Sequence, residues 1–309
     1  MIKTLTLNPA LDKTIIVEDF KIDSLNRIKK VFRDAGGKGI NVSKMISNLG
    51  GITTASGFLG GDAGSFIKNE LEKENIKHDF IEVEGETRTN LKMVDKIQNT
   101  FTDINEKGVY VSNNKLNEIK KELFSDLNKG DILVLSGSVP DGVEANIYQE
   151  LIEIAHQKEV KTILDADGVL FENALKACPS LIKPNEHELA LYYGRDFNNQ
   201  EEMIEAAKEF FRYGVEKIML SLGKEGAVFL TEEEVIKIEA LELDVKSTFG
   251  AGDAMVAGLA IALENNLKIN EMITLAAACS SASLINEGTE MGKKEDVNNL
   301  KNKIRYYYI

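Results

Sequence analysis

The stretch Ser247-Thr248-Phe249-Gly250-Ala251-Gly252-Asp253 sets a glycine turn and a carboxylate at the start of an apolar run, Ala254 to Ala260. Gly250 and Gly252 permit a tight turn whose N–H groups converge on one point. The run that follows is apolar almost all round and reads as a buried helix. Its N-terminus then opens inside the protein, with unpaired donors and a positive dipole end that suit a phosphate. Asp253 puts a carboxylate beside that anion hole. A carboxylate gains nothing for simple anion binding, but it serves phosphoryl transfer, where a hydroxyl must lose a proton. Aspartate is also a favoured helix cap, and this stretch alone leaves both roles open.

Further stretches carry related signals. Ala35-Gly36-Gly37-Lys38-Gly39-Ile40-Asn41-Val42 surrounds a lysine with glycines where a helix begins, a second candidate anion or sugar site. It matches neither the Walker A spacing nor the GxGxxG of dinucleotide folds. Gly137-Ser138 follows the apolar strand 131–136, and Ser221-Leu222-Gly223-Lys224-Glu225-Gly226 follows the strand 217–220. Within Lys183-Pro184-Asn185-Glu186-His187-Glu188, Asn185 and Glu188 share one face of a first helical turn. They read equally as a capping box, and the two roles can coexist. Asp12 stands just after Asn8-Pro9 at a strand end, a ligand position in open α/β sheets or a plain turn residue.

Positioning all of these on one edge requires alternating strands and helices. The chain from Leu116 onward alternates in that way, predicting an α/β fold with a mostly parallel central sheet flanked by helices. Helices are expected over 144–158, 200–213, 270–285 and 294–303, with Asp62 capping another that runs to Asn75. Residues 228–230 and 235–238 read as a terminal hairpin, and Arg305 to Ile309 as a packing tail. The runs 14–17 and 28–32, with strands over 87–94 and 98–105, predict a small β-lid within about 12–34 and 87–106. With no repeat, low-complexity tract or Pro-rich linker, 1–309 is expected to be one domain.

Composition narrows the function classes. Hydrophobic residues make up 43% and charged residues 28% of the 309, an ordinary globular balance. A net charge of −13 without a Lys/Arg-rich block argues against nucleic acid as a partner. No apolar run approaches the ~20 residues that span a bilayer, and the start lacks a signal peptide's apolar core, so a cytoplasmic protein without membrane partners is expected. Cys178 and Cys279 read as reduced thiols, and His78, His156 and His187 lack metal-ligand spacing.

Two motifs in this order and at this separation, Gly36-Gly37-Lys38-Gly39-Ile40-Asn41-Val42 and Ser247 to Asp253, resemble those of the ribokinase-like sugar kinases of the phosphofructokinase-B branch. Asn185-Glu186-His187-Glu188 is similar to that family's NxxE motif, and the likeness runs from Thr6-Leu7-Asn8-Pro9 to Asn286-Glu287-Gly288-Thr289. Within the branch, Gly85 to Lys92 and Thr102-Asp103-Ile104-Asn105 look most like the 1-phosphofructokinases, with the tagatose-6-phosphate kinases as near relatives. Phe249 departs from the smaller residue usual before the glycine turn.

The resemblance implies ATP-dependent phosphorylation of fructose 1-phosphate, with tagatose 6-phosphate or fructose 6-phosphate as alternative substrates. A silent sugar-phosphate sensor is the rival class. On this likeness Asp253 is the catalytic base, and Gly250, Ala251 and Gly252 supply the anion hole. Asp12, Gly37, Asn41 and Ser138 face the sugar; Lys38 and Arg88, with Arg27 less strongly, hold its phosphate. Lys183, Asn185, Ser221, Gly223, Gly226, Thr248, Gly250, Gly252 and Asn286 face ATP, and Glu188 organises Mg²⁺ through water. Members of the family often bind K⁺ beside the anion hole, and their lid strands commonly pair two subunits into a homodimer. The positive helix end at Asp253 predicts a lowered pKa, and so a weak base.

Overall fold

A computed structural model describes residues 1–286, 288 and 290–309. Glu287 and Thr289, part of the last motif quoted above, lie outside the described residues.

Apolar strand segments, short and rich in Ile, Leu and Val, assemble an eleven-stranded sheet. Its spatial order runs Tyr306–Tyr308, Val235–Ile238, Ala227–Leu230, Lys217–Ser221, Leu181–Ile182, Lys161–Asp165, Ile132–Ser136, Ile2–Thr6, Thr53–Leu59 and Lys77–His78, with Ile81–Glu82 also pairing with Thr53–Leu59. Pairing is parallel from Lys217–Ser221 to Lys77–His78 and antiparallel from Lys217–Ser221 outward to Tyr306–Tyr308. Strands buried on both faces must be apolar on both. Leu133 and Leu135 accordingly pack into one core, while Ile132 and Val134 pack into the other.

The second core holds the helices that matter for the site. Lys38–Asn48, Ala251–Glu264 and Ile269–Leu284 all lie on that face of the sheet. Ala251–Glu264 is buried from Asp253 through Ala260, as its all-round apolar sequence predicts. The opposite core is closed by helices that include Asn113–Leu123, Ile147–Gln157 and Gln200–Lys208.

A separate four-stranded sheet runs in the order Lys30–Gly36, Ala10–Val17, Thr89–Asp95 and Thr100–Asn105. Two of its strands, Ala10–Val17 and Lys30–Gly36, run beyond the expected 12–34. Ala10–Val17 and Thr89–Asp95 are parallel neighbours, and the flanking pairs are antiparallel. All six residues of Thr100–Asn105 are exposed.

Several local expectations need correction. Asp62 does not cap its helix; Gly60 occupies the cap, and the Glu86 carboxylate accepts from the backbone N–H groups of Asp62 and Ala63. An acid remote in sequence thus meets the positive helix end. The helix expected from 200 to 213 ends at Lys208 and tightens into a 3₁₀ turn, Glu209–Tyr213. The hairpin of 227–238 is not terminal, because Tyr306–Tyr308 pairs with Val235–Ile238 and forms the sheet edge. That tail is a strand: aromatic residues fit a half-buried pleated surface.

Candidate active site

Parallel strands deliver their C-terminal ends to one edge, and the register sets which side chains face the same helices. Ser136 lies opposite Asp165 in the ladder, and Leu164 opposite Ile182. Side chains alternate along a strand, so Asp165 and Lys183 share the face of Ile163 and Leu181, toward the Lys38–Asn48 and Ala251–Glu264 helices. Both helices begin at this edge. The turn at Gly250 needs its glycine: φ is +71°, and a Cβ there would overlap Met291 Cε. Gly37, with φ +123°, opens the other helix in a similarly glycine-dependent backbone.

Asp253 is buried in the first turn of its helix, and one carboxylate oxygen accepts from Asn41 Nδ2 at 2.8 Å. Near it sits a compact charged cluster. Lys38 Nζ lies 3.1 Å from Asp165 and 3.6 Å from Glu188, and Lys183 Nζ lies 3.4 Å from Asp165. Lys183 also reaches the mouth of the glycine turn, since a Cβ on Gly252 would stand 3.5 Å from its ammonium.

These contacts set the protonation states. Burial and the neighbouring Asp165 push the Asp253 carboxyl up to about 6, against the opposing pull of Asn41, Lys38 and Lys183. This corrects the expectation of a lowered value: desolvation outweighs the helix end. Burial works on Asp165 in the same sense, but Lys183 and Lys38 hold it below its ordinary value. Lys38 loses solvation too, yet Asp165, Glu188 and Asp253 together raise its pKa and keep it charged.

Among the residues expected to face the sugar, Asp12 is buried with both oxygens engaged, Oδ1 accepting from Asn90 at 3.1 Å and Oδ2 from Lys92 at 3.2 Å. Thr6, Asn8, Gly37, Lys38, Arg88 and Ser138 are among the residues lining a cleft of about 220 Å³. Arg88 donates from Nε and Nη2 to the Asn8 carbonyl at 3.2 and 2.9 Å, and burial lowers its pKa against the pull of Asp12. Lys38 and Arg88 thus share one cleft, but the Lys38 ammonium turns toward Asp165 and Glu188. Arg27 is part of neither this cleft nor the charged cluster.

Three of the residues expected to face ATP gather separately. Asn185, Ser221 and Gly223 line a cleft of about 490 Å³ with His187, Asp196 and Phe197. Asn185 and Glu188 form a complete capping box, Glu188 Oε2 accepting from the Asn185 N–H at 2.9 Å, while Oε1 faces Lys38. Gly226, at φ +87°, closes the Gly223–Glu225 turn. Thr248 is exposed beside the glycine turn. Asn286 spends its amide on the carbonyls of Ala282 and Met291, bracing the segment whose methionine covers Gly250.

Asp165 escaped the sequence reading. Its only signal is an acid closing the apolar strand Thr162-Ile163-Leu164, at a position where open α/β sheets carry ligand groups. Asn90 and Lys92 had no assigned role either. Alternation placed them on a strand, but not against Asp12.

Paired strand-end glycine turns, a helix N-terminus opening onto a buried carboxylate and two lysines define an α/β site built to handle phosphate. Residues 5–295 match the sequence model of the pfkB carbohydrate kinases, and the chain belongs to that family. It is 33% identical to a 1-phosphofructokinase of Bacillus subtilis over 305 residues, covering 99% of each chain. It is 37% identical to a D-tagatose-1-phosphate kinase of Bacillus licheniformis over 292 residues, covering 93% of this chain and 94% of the other. Phosphofructokinase-2 from Escherichia coli, solved in complex with potassium, superposes with a TM-score of 0.93 at 29% identity over 98% of each chain. The fold is ribokinase-like.

Proposed function

We propose that this enzyme phosphorylates the C6 hydroxyl of D-fructose 1-phosphate with ATP, giving fructose 1,6-bisphosphate. One observation carries the reading: Asp253 is a buried carboxyl in the first turn of the helix behind the Gly250 turn, held by Asn41, and burial raises its pKa to about 6. An efficient general base has a pKa close to its working pH, and Asp253 is a better base than an ordinary aspartate. Asp253 would take the proton as the hydroxyl bonds to phosphorus. The N–H groups of Gly250, Ala251 and Gly252 and the ammonium of Lys183 would meet the charge on the transferring group, whose loose transition state needs mainly positioning and electrostatic support.

Arg88, with the lysine stem of Lys38 beside it, would hold the unreactive phosphate, and Asp12, Gly37, Asn41 and Ser138 the sugar hydroxyls. The relatives named for fructose 1-phosphate and D-tagatose 1-phosphate support a phosphate at C1. ATP would lie over Asn185, Ser221 and Gly223. Glu188 keeps one oxygen free of its capping box, which fits Mg²⁺ held through water and phosphate oxygens, since that ion gives up its water reluctantly. Mg²⁺ would neutralise phosphate charge, and K⁺ beside the glycine turn is part of the same reading. The small sheet would act as a lid and as the contact between two subunits of a cytoplasmic homodimer.

The test is Asp253→Asn with MgATP and fructose 1-phosphate. ADP release should fall by at least about a hundredfold, at the low end for a general base, while both substrates still bind. Unchanged turnover would remove Asp253 from the reaction.

A further inference from the structure

Phe249, the residue that stands where a smaller one is usual, has a partner. The ammonium of Lys92 lies over its ring, 4.0 Å from the centroid. The same ammonium sits 3.2 Å from Asp12 Oδ2. Lys92 belongs to the strand Thr89–Asp95 of the small sheet, whereas Phe249 directly precedes the Gly250 turn. One cation therefore touches the sugar-side carboxylate and the anion-hole loop at once, and its side chain is largely buried in doing so. A cation over an aromatic face is attracted to it, and more strongly when desolvated. Asn90 adds to the arrangement by fixing the other oxygen of Asp12.

From this geometry we infer that Lys92 is a positioning residue that couples the two halves of the site. It acts through Asp12 on the sugar and through the Phe249 ring on the loop that receives the triphosphate. Sugar phosphate bound at Asp12 would hold the small sheet, and with it the Lys92–Phe249 contact already present, in place and so steady the anion-hole turn. The two substrates then bind better together than alone. The inference rests on the kinase reading above, but it concerns coupling and not chemistry.

Calorimetry with fructose 1-phosphate and β,γ-methylene-ATP plus Mg²⁺ tests it, each ligand titrated with and without the other. Linkage requires the same factor in both orders, and in the unaltered enzyme it should be about fivefold or more. Phe249→Val should bring the factor close to one while each ligand alone binds as before; Lys92→Met should also bring it close to one, but with weaker binding of fructose 1-phosphate alone, because Asp12 loses its cation. Phe249→Tyr keeps the aromatic face and should keep the coupling. Phe249→Val carries the test if Lys92→Met fails to fold. Coupling retained in Phe249→Val, or absent from the unaltered enzyme, overturns the inference. So does weaker binding of each ligand alone with the coupling intact, which would mark a merely structural contact. Failure of the unaltered enzyme to bind either ligand would instead contradict the kinase reading on which the inference stands.

Discussion

As the proposed base, Asp253 would gain its reactivity from the same burial that makes it expensive to ionise. Among the described residues, only Asn41 gives it a direct hydrogen bond, and Asp165 repels its charge while Lys38 and Lys183 favour it. Ionisation in the folded enzyme therefore occurs near pH 6, well above the ordinary 3.8. The base works only when ionised. kcat/KM for fructose 1-phosphate should thus be flat at alkaline pH and fall on the acid side with a midpoint near 6, tenfold per pH unit below it. Lys38→Met removes a cation that favours ionisation, so its acid limb should move to higher pH. A steady-state pH profile of both proteins checks this. An acid limb near 4, or one that Lys38→Met leaves in place, would show that Asp253 is not the group being read.

At the scale of elements, strand pairing decides what each side chain can reach. Arg88 enters the strand Thr89–Asp95, whose parallel pairing with Ala10–Val17 brings the guanidinium onto the Asn8 carbonyl at the cleft. On the proposed reading it would meet the sugar phosphate and not the reacting group. Arg88→Ala should raise KM for the sugar phosphate by about ten- to a hundredfold, the cost of one charged hydrogen bond. kcat should hold, since the lost contact is equal in ground and transition states. Steady-state kinetics at saturating MgATP separates the two constants, and a loss confined to kcat would contradict this placement.

The glycine turns, the apolar helix after Asp253 and the alternation of the small sheet were legible because each is written locally, in period or in glycine spacing. Asp165 and the Lys92–Phe249 contact were not, because both depend on register between strands distant in sequence. The pKa of Asp253 was misjudged for a related reason. The helix end is visible in the sequence, but the depth of burial and the approach of Asp165 are products of the assembled sheet.

For the whole molecule, the outer strands of the small sheet carry exposed apolar side chains on both faces. Phe101 is 74% exposed, Ile104 56% and Val31 44%, on outer strands that pair on one side only. Exposed edges with apolar side chains need cover, and the proposed second copy would supply it symmetrically. Sedimentation at micromolar concentration should show a dimer, and Phe101→Asp should shift it toward monomer; a fully active monomer would contradict this. The central claim is tested most directly by kcat/KM, with identical MgATP, for fructose 1-phosphate, fructose 6-phosphate and tagatose 6-phosphate. Fructose 1-phosphate should be clearly preferred, with fructose 1,6-bisphosphate and ADP formed in equal amounts. Preference for tagatose 6-phosphate would contradict the substrate, and ADP formation with none of the three would contradict the sugar-phosphate kinase itself.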